Sequence, residues 1–220
     1  MPSSPDIRLV CFDWGGVVLR ICRSFAEGCA AADIPLRPGV DTPEIKAARK
    51  VHADEHQLGL IDCDEFYRRA SAATRHLYTP DEIRRIHDAW LIAEYPGVDA
   101  IVDRLIQTPR LQTALLSNTN HAHWMRHHPR AAGVPGDFPT VHKLQHRYAS
   151  HIMKLAKPDA AIYETFSRSV GVPPANILFF DDLPDNIATA RALGWNAEQI
   201  DHTGDTATQI TEHLDAYRAW

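Results

Sequence analysis

No stretch of the sequence approaches the roughly 18 consecutive apolar residues that a membrane-spanning helix requires, and no basic segment followed by an apolar one stands at its start. The expectation is a cytoplasmic protein that neither spans a membrane nor carries a secretory leader. Positive charge is not in surplus: 23 Lys and Arg stand against 28 Asp and Glu, a net charge of −5 with histidine neutral. Binding nucleic acid through many phosphate contacts needs the opposite balance, so nucleic acid is not an expected partner. Cysteine is scarce, four in 220 residues, and Cys11, Cys22, Cys29 and Cys63 follow neither a zinc-ribbon nor a disulfide-scaffold spacing. They read as reduced thiols, with Cys11 buried in a strand. Internal repeats and low-complexity tracts are missing as well. With 45% hydrophobic and 23% charged residues the composition is that of an ordinary globular chain, and it fits a monomer or a homodimer equally.

What is present is a set of short apolar runs rich in β-formers, each ending in a small or polar cluster, as buried parallel strands do before a ligand-bearing loop. Residues 7–12 run into Asp13, Trp14, Gly15 and Gly16; 111–116 into Ser117, Asn118, Thr119 and Asn120; 177–180 into Asp181 and Asp182. A weaker strand candidate lies near 140–144, ahead of Lys157. Helical patterns separate the runs: Val98, Ile101, Val102, Leu105 and Ile106; Ile162, Phe166 and Val170 closed by Gly171; Ile187, Ala190 and Leu193 closed by Gly194; and Ile210, Leu214 and Tyr217. Strands alternating with helices predict an α/β fold with a doubly wound parallel sheet. Residues 21–95 break the alternation, with no β-rich run and three helix starts at Thr42, Asp62 and Thr79, the last two with a Glu at the third helical position. The expected organisation is a core of residues 1–20 and 96–220, with 21–95 inserted as a helical unit.

In an open parallel sheet, ligands bind beyond the carboxyl ends of the strands. The residues found there are a lone carboxylate (Asp13), a hydroxyl beside backbone N–H groups (Ser117, Asn118), an acidic pair (Asp181, Asp182) and, arriving before the third strong run, an ammonium (Lys157). That set suits phosphoryl transfer, with Asp as nucleophile, Mg²⁺ on carboxylates, and Lys and Ser facing the phosphoryl oxygens. Two adjacent carboxylates at a buried sheet end would cost several kcal/mol by order of magnitude without a cation.

In order and type, these motifs resemble those of the haloacid dehalogenase superfamily: residues 12–18, 115–120, 157–159 and 179–186 correspond to its four motifs, and 21–95 is similar to its helical C1-type cap. The resemblance implies a Rossmann-like core and a Mg²⁺-dependent phosphatase acting on a small phosphorylated metabolite. It implies that Asp13 attacks phosphorus to give an aspartyl-phosphate, and that the metal is held by the Asp13 carboxylate, the Gly15 carbonyl and Asp182, with Asp181 acting through a water. Ser117, the Asn118 N–H and Lys157 would hold the phosphoryl oxygens, in a pocket that Trp14 and Gly15 help to form. The chain departs from the superfamily's usual phosphatase pattern at Gly15, where a second Asp serves as general acid and base. The resulting Asp-x-Gly-x-Val form resembles the bacterial subgroup that includes α-glucose-1-phosphate phosphatase.

Rival readings exist. A 2-haloacid dehalogenase would use Asp13 against carbon and needs no acid at Gly15, but the acidic pair would repel its carboxylate substrate. A response-regulator receiver has a similar residue set in a different chain order, and a non-catalytic binding protein of the same fold is a further alternative. Individual residues also have plainer readings: Ser117, Asn118 and Asp185 as helix caps, and Lys157 as a solvated lysine. His121, His123, His127 and His128, among thirteen histidines, read as a solvated loop rather than a metal site. In the inserted unit His52, Glu55, His56 and Gln57 could face a substrate, with His56 as the candidate specificity residue.

Overall fold

The computed structural model describes residues 5–220; residues 1–4 of the expected first core segment lie outside it. The chain opens with β1 (Leu9–Phe12) and turns back as β2 (Leu19–Ile21). Four helices follow, α1 (Phe25–Ala31), α2 (Pro43–Gln57), α3 (Cys63–Ala73) and α4 (Pro80–Asp88), and then β3 (Leu91–Glu94) pairs antiparallel with β2. The remainder alternates: α5 (Val98–Gln107), β4 (Gln112–Ser117), α6 (His121–Met125), a 3-10 turn at Thr140–Lys143, β5 (His146–Ala149), α7 (Ser150–Met153), α8 (Ala160–Val170), β6 (Ile177–Asp181), α9 (Pro184–Ala192), β7 (Asn196–Gln199) and α10 (Thr206–Tyr217). No helix among the described residues is long and apolar enough to cross a membrane.

The main sheet has the order β5-β4-β1-β6-β7, all parallel. β1 is central and wholly apolar because both of its faces are covered. Val10 and Phe12 point into one core with Val98, Val102 and Leu105 of α5 and Ile210 and Leu214 of α10. Leu9 and Cys11 point into the other with Ile162, Tyr163 and Phe166 of α8 and Ile187 and Ala190 of α9. This is the doubly wound arrangement that the alternation predicts. The chain leaves β1 toward β4 and later crosses back to β6, so a crevice opens where the strand order reverses, at the carboxyl ends of β1, β4 and β6.

The helical insertion has its own apolar centre, including Ile45, Tyr67, Tyr78, Ile83 and Ile86. All three expected helix starts are capped by their own side chains: Thr42 accepts from the Ile45 N–H, Asp62 from Glu65 and Thr79 from Glu82. Only Thr79 and Glu82 form the reciprocal capping box, because the Glu65 carboxylate turns to Arg68 and Arg69 instead.

Several expectations need correction. The insertion is not free of strands: β2 and β3 form a ribbon at its root, too short to give a periodic signal. The 140–144 segment holds a 3-10 turn at Thr140–Lys143, and the strand lies just beyond, at β5. β5 (HRYA) and β7 (NAEQ) are the outer strands of the sheet, so their polar residues hide them from an apolar-run criterion. The histidine segment is not a solvated loop, for His123 and His127 are buried.

Histidine burial extends into the insertion. The His87 and His123 rings stack at 3.8 Å, and His123 Nε2 lies 2.8 Å from the His87 carbonyl. His56 stacks on Phe66 at 4.3 Å. Burial pushes His87 down to about 3 and His56 down to about 4, and takes His123 well below its ordinary value. The folded protein therefore keeps these rings neutral, whereas the unfolded chain protonates them near pH 6.5. Unfolded protein binds more protons below that pH, so their contribution to stability is complete above about pH 6.5 and is lost progressively toward pH 3–4. Urea unfolding in EDTA should show stability falling from pH 6.5 to 4.5 by up to about 1.4 kcal/mol per pH unit for each such histidine. A stability independent of pH across that window would contradict the burial of these rings.

Candidate active site

Phe12 of β1 pairs with Leu115 of β4 and Phe180 of β6, so Asp13, Ser117 and Asp181 emerge together at one end of the sheet. The Asp13 N–H donates to the Phe180 carbonyl at 2.8 Å, extending the ladder by one residue and fixing where the side chain leaves the sheet. Beyond it the loop folds on itself, the Val18 and Leu19 N–H groups both donating to the Trp14 carbonyl. Gly16 has φ +89°, and a Cβ there would lie 2.5 Å from the Asp182 carboxylate. Only glycine permits both the backbone conformation and that approach.

Asp13, Asp181 and Asp182 are all buried and offer carboxylate oxygens within 4.8 Å of one another. Lys157 is buried between two of them, its Nζ 2.6 Å from Asp181 Oδ2 and 2.9 Å from Asp13 Oδ1. The contact to Asp13 is an ion pair off the hydrogen-bonding direction, which leaves Asp13 Oδ1 without a hydrogen-bond donor among the described residues. Burial pushes the Asp13 carboxyl above its ordinary range; Lys157 pulls it down, while Asp181 and Asp182 add to the rise. Burial alone would lower Lys157, but Asp13 and Asp181 outweigh it and hold the ammonium well above its ordinary value. Arg23, from the loop after β2, reaches Asp182 Oδ2 at 2.6 Å.

Two side chains keep this arrangement in place. Asn118 Oδ1 accepts from the Lys157 N–H at 2.9 Å and its Nδ2 donates to the Lys157 carbonyl at 2.8 Å, clamping the lysine backbone to the end of β4. Asp181 Oδ1 accepts from the Leu183 N–H and from Asn186 Nδ2, each at 2.9 Å. With Lys157 and Asn186 also on Oδ2, both of its oxygens are engaged.

These contacts decide most of the plainer readings. Ser117 and Asn118 do not cap α6, whose cap is Asn120; Asp185 does not cap α9, where Leu183 holds the cap position and no side chain caps; and Lys157 is not solvated. Trp14 borders the cavity above the site, yet its indole packs into the core against Trp124 and His127. A side chain at Gly15 would begin 2.9 Å from Ile21 Cδ1, so Ile21 fills the space where a second acid would stand. Arg23, Asn186 and the clamping role of Asn118 escape sequence reasoning, because each depends on which loops meet at the sheet end.

Above the carboxylates a cavity of about 680 Å³ separates the sheet from the insertion. Gly15, Ser117 and Asn118 line its floor, and Ile21, Phe25, Phe66, Trp90 and Leu91 give it apolar walls. His56 and Gln57 border it; His52 and Glu55 pair with each other at 3.0 Å away from its lining.

The donor set suits a hard divalent cation. Three carboxylates face two cationic side chains, all donors are oxygen, and Asp13 Oδ1 has no hydrogen-bonded partner among the described residues. Asp13, Asp182 and the Gly15 carbonyl are the groups available to hold it, whereas the saturated Asp181 is placed to act at one remove.

The fold and sequence have relatives. The chain is 21% identical to the HAD family enzyme bt-2542 of Bacteroides thetaiotaomicron, solved in complex with magnesium and inorganic phosphate. That structure superposes with a TM-score of 0.73 over 92% of this chain and 98% of that one. A 2-haloacid dehalogenase from Pseudomonas syringae pv. Tomato shares the fold at a TM-score of 0.60 and 17% identity, covering 96% and 99% of the two chains. A segment of 71 residues is 32% identical to Phosphatase MT3486 of Mycobacterium tuberculosis, spanning 32% of this chain and about a third, 33%, of that relative. Residues 7–194 match the family model described as haloacid dehalogenase-like hydrolase, which takes in every strand of the core but β7 and all the residues of the carboxylate site. The chain belongs to the haloacid dehalogenase-like hydrolase family.

Proposed function

We propose that this hydrolase is a Mg²⁺-dependent phosphomonoesterase that works through an aspartyl-phosphate on Asp13. The observation that carries the reading is the buried cluster of Asp13, Asp181 and Asp182 around Lys157. A haloacid carries its own carboxylate, which this acidic cluster would repel; a phosphate ester bridged by a divalent cation is drawn in. The magnesium and phosphate in the Bacteroides enzyme and the phosphatase name of the mycobacterial relative support the same reading.

An Asp13 oxygen attacks phosphorus, the ester P–O bond breaks, and the electron pair leaves with the alkoxide. Water then attacks phosphorus in the aspartyl-phosphate, releasing inorganic phosphate and restoring the Asp13 carboxylate. Lys157 opposes the rise that burial gives the Asp13 carboxyl and aims it, and it presents an ammonium, beside the Ser117 hydroxyl and the Asn118 N–H, to the phosphoryl oxygens. Bound Mg²⁺ would offset the charge between the carboxylates and the phosphoryl group. Arg23, on Asp182, joins the cationic rim of the site.

With Ile21 over Gly15, the leaving alkoxide takes its proton from solvent, so substrates with good leaving groups are favoured. An anomeric sugar phosphate of the α-glucose-1-phosphate kind meets that condition. The walls formed by Phe25, Phe66 and Trp90 suit a leaving group with an apolar face, whether a sugar ring or an aromatic one. His56, neutral in that wall, is the candidate specificity residue.

Asp13→Asn should reduce hydrolysis of an aryl phosphate by at least about 10³-fold with the fold intact by circular dichroism; undiminished turnover would remove Asp13 as nucleophile. EDTA should silence the wild type and added Mg²⁺ restore it. Metal-independent halide release from a 2-haloacid would establish the dehalogenase instead, and loss of neither activity because neither exists would leave a binding protein. The double variant Gly15→Asp with Ile21→Ala should raise turnover of alkyl phosphates relative to aryl phosphates by about 10-fold or more, since a positioned acid matters most for poor leaving groups.

A further inference from the structure

His127, two residues beyond α6, is fully buried, and neither of its ring nitrogens has a hydrogen-bond partner among the described residues. A buried imidazole with both nitrogens unpaired is costly unless something else engages it. Two further imidazoles are among the groups packed against it. Its ring lies 4.1 Å from that of His128 and 5.6 Å from that of His142, and His128 and His142 are 5.4 Å apart. One nitrogen from each of the three falls within 4.8 Å of the others. His142 Nδ1 is itself buried without a hydrogen-bond partner.

The backbone builds this convergence. The Phe138 N–H donates to the Arg126 carbonyl at 3.2 Å, folding the segment before the 3-10 turn against the end of α6. Gly136 makes the fold-back possible, because a Cβ there would lie 2.5 Å from the His128 carbonyl and 2.6 Å from that of Arg126. Thr140, two residues before His142, is tied to Glu94 of β3 through its N–H at 2.8 Å and its hydroxyl at 2.7 Å. Arg147 is the charged neighbour, its guanidinium turned onto the His142 and Leu144 carbonyls.

We propose that His127, His128 and His142 form a binding site for a transition-metal ion of the zinc class, separate from the carboxylate site. The ligand chemistry distinguishes the two: three neutral imidazoles suit Zn²⁺, Co²⁺, Ni²⁺ or Cu²⁺, whereas Mg²⁺ prefers oxygen. Tetrahedral zinc, with bonds of about 2.0–2.1 Å, places its ligands about 3.4 Å apart, so the rings, His127 and His128 being stacked with 29° between their planes, would turn and close in from within 4.8 Å to complete the site, leaving a fourth position for water. With both ring nitrogens unpaired among the described residues, a neutral His127 has a lone pair to offer such an ion. The ion would brace the connection between β4 and β5. His127 also packs edge-on to Trp14 at 5.8 Å and to Trp124 at 4.5 Å, so the ion would stiffen the residue that follows the nucleophile.

The test is a Zn²⁺ titration of the EDTA-stripped full chain in excess Mg²⁺, which occupies the carboxylates. One equivalent should bind, raising the thermal midpoint by about 5–10 °C at about 100-fold over Kd. His128→Asn with His142→Asn, both at half-buried positions, should weaken that binding by roughly 100-fold or more. Binding equal to wild type in this variant, or no equivalent surviving Mg²⁺ competition, overturns the site. Should the double variant not fold, Co²⁺ in the wild type decides: strong visible absorption insensitive to Mg²⁺ supports tetrahedral histidine ligation. A weak band that Mg²⁺ displaces refutes it.

Discussion

The rest of the site is arranged around a buried ammonium. Lys157 sits where an isolated charge would be expelled or neutralised, and it stays because Asp13 and Asp181 lie on either side of it. The pairing works in both directions, since removing the lysine would leave two buried carboxylates facing a third. Each further contact serves that balance. Asn118 fixes the lysine backbone, Asn186 and the Leu183 N–H hold Asp181, and Arg23 takes part of the charge on Asp182. The surplus of one carboxylate is the charge that the proposed divalent cation would offset, and through that cation a phosphate would be held.

The sheet supplies the positions at which those charges meet. Parallel strands with matched register deliver Asp13 and Asp181 to the same level, with Ser117 one residue further along β4, without any of the three being adjacent in sequence. The covering helices bury both faces, so the carboxyl end is the one edge of the core where polar groups can cluster. The insertion then roofs that edge with apolar residues, and Ser150 ties roof to core: its hydroxyl lies 2.6 Å from the Gln57 carbonyl and accepts the Thr119 N–H at 2.9 Å. A phosphate ester in the cavity would meet polar groups at Ser117 and Asn118, the cationic side chains of Arg23, Lys46, Arg49 and Lys50, and apolar walls between them.

The central strands and the charge set were legible because burial on both faces writes an unbroken apolar run, and the polar residue that ends the run is the one at the sheet edge. The capped helices of the insertion were legible for a similarly local reason, a Thr or Asp just before each start. β5 and β7 were not, since outer strands need no apolar run, and β2 and β3 are three and four residues long. Arg23 and Asn186 could not be assigned from sequence because neither belongs to a strand end; tertiary contact alone gives them work. The burial of the histidines is hidden from the sequence for another reason. Polar letters in a turn-rich segment suggested solvent, but the segment folds back at Gly136 and closes over His127.

The pairing of β2 with β3 has a consequence for how such a chain can diversify. Leu19 lies opposite Glu94, so the insertion leaves the core and returns to it at points one ladder rung apart. From the core's side, everything between is a closed loop whose ends are already joined. Because the entropy of closing a loop grows only slowly with its length, helices there can be added, removed or exchanged with little effect on the spacing of β1 and β4. The surface of the insertion and the carboxylate site of the core can thus change at different rates, with the ribbon as the boundary between them.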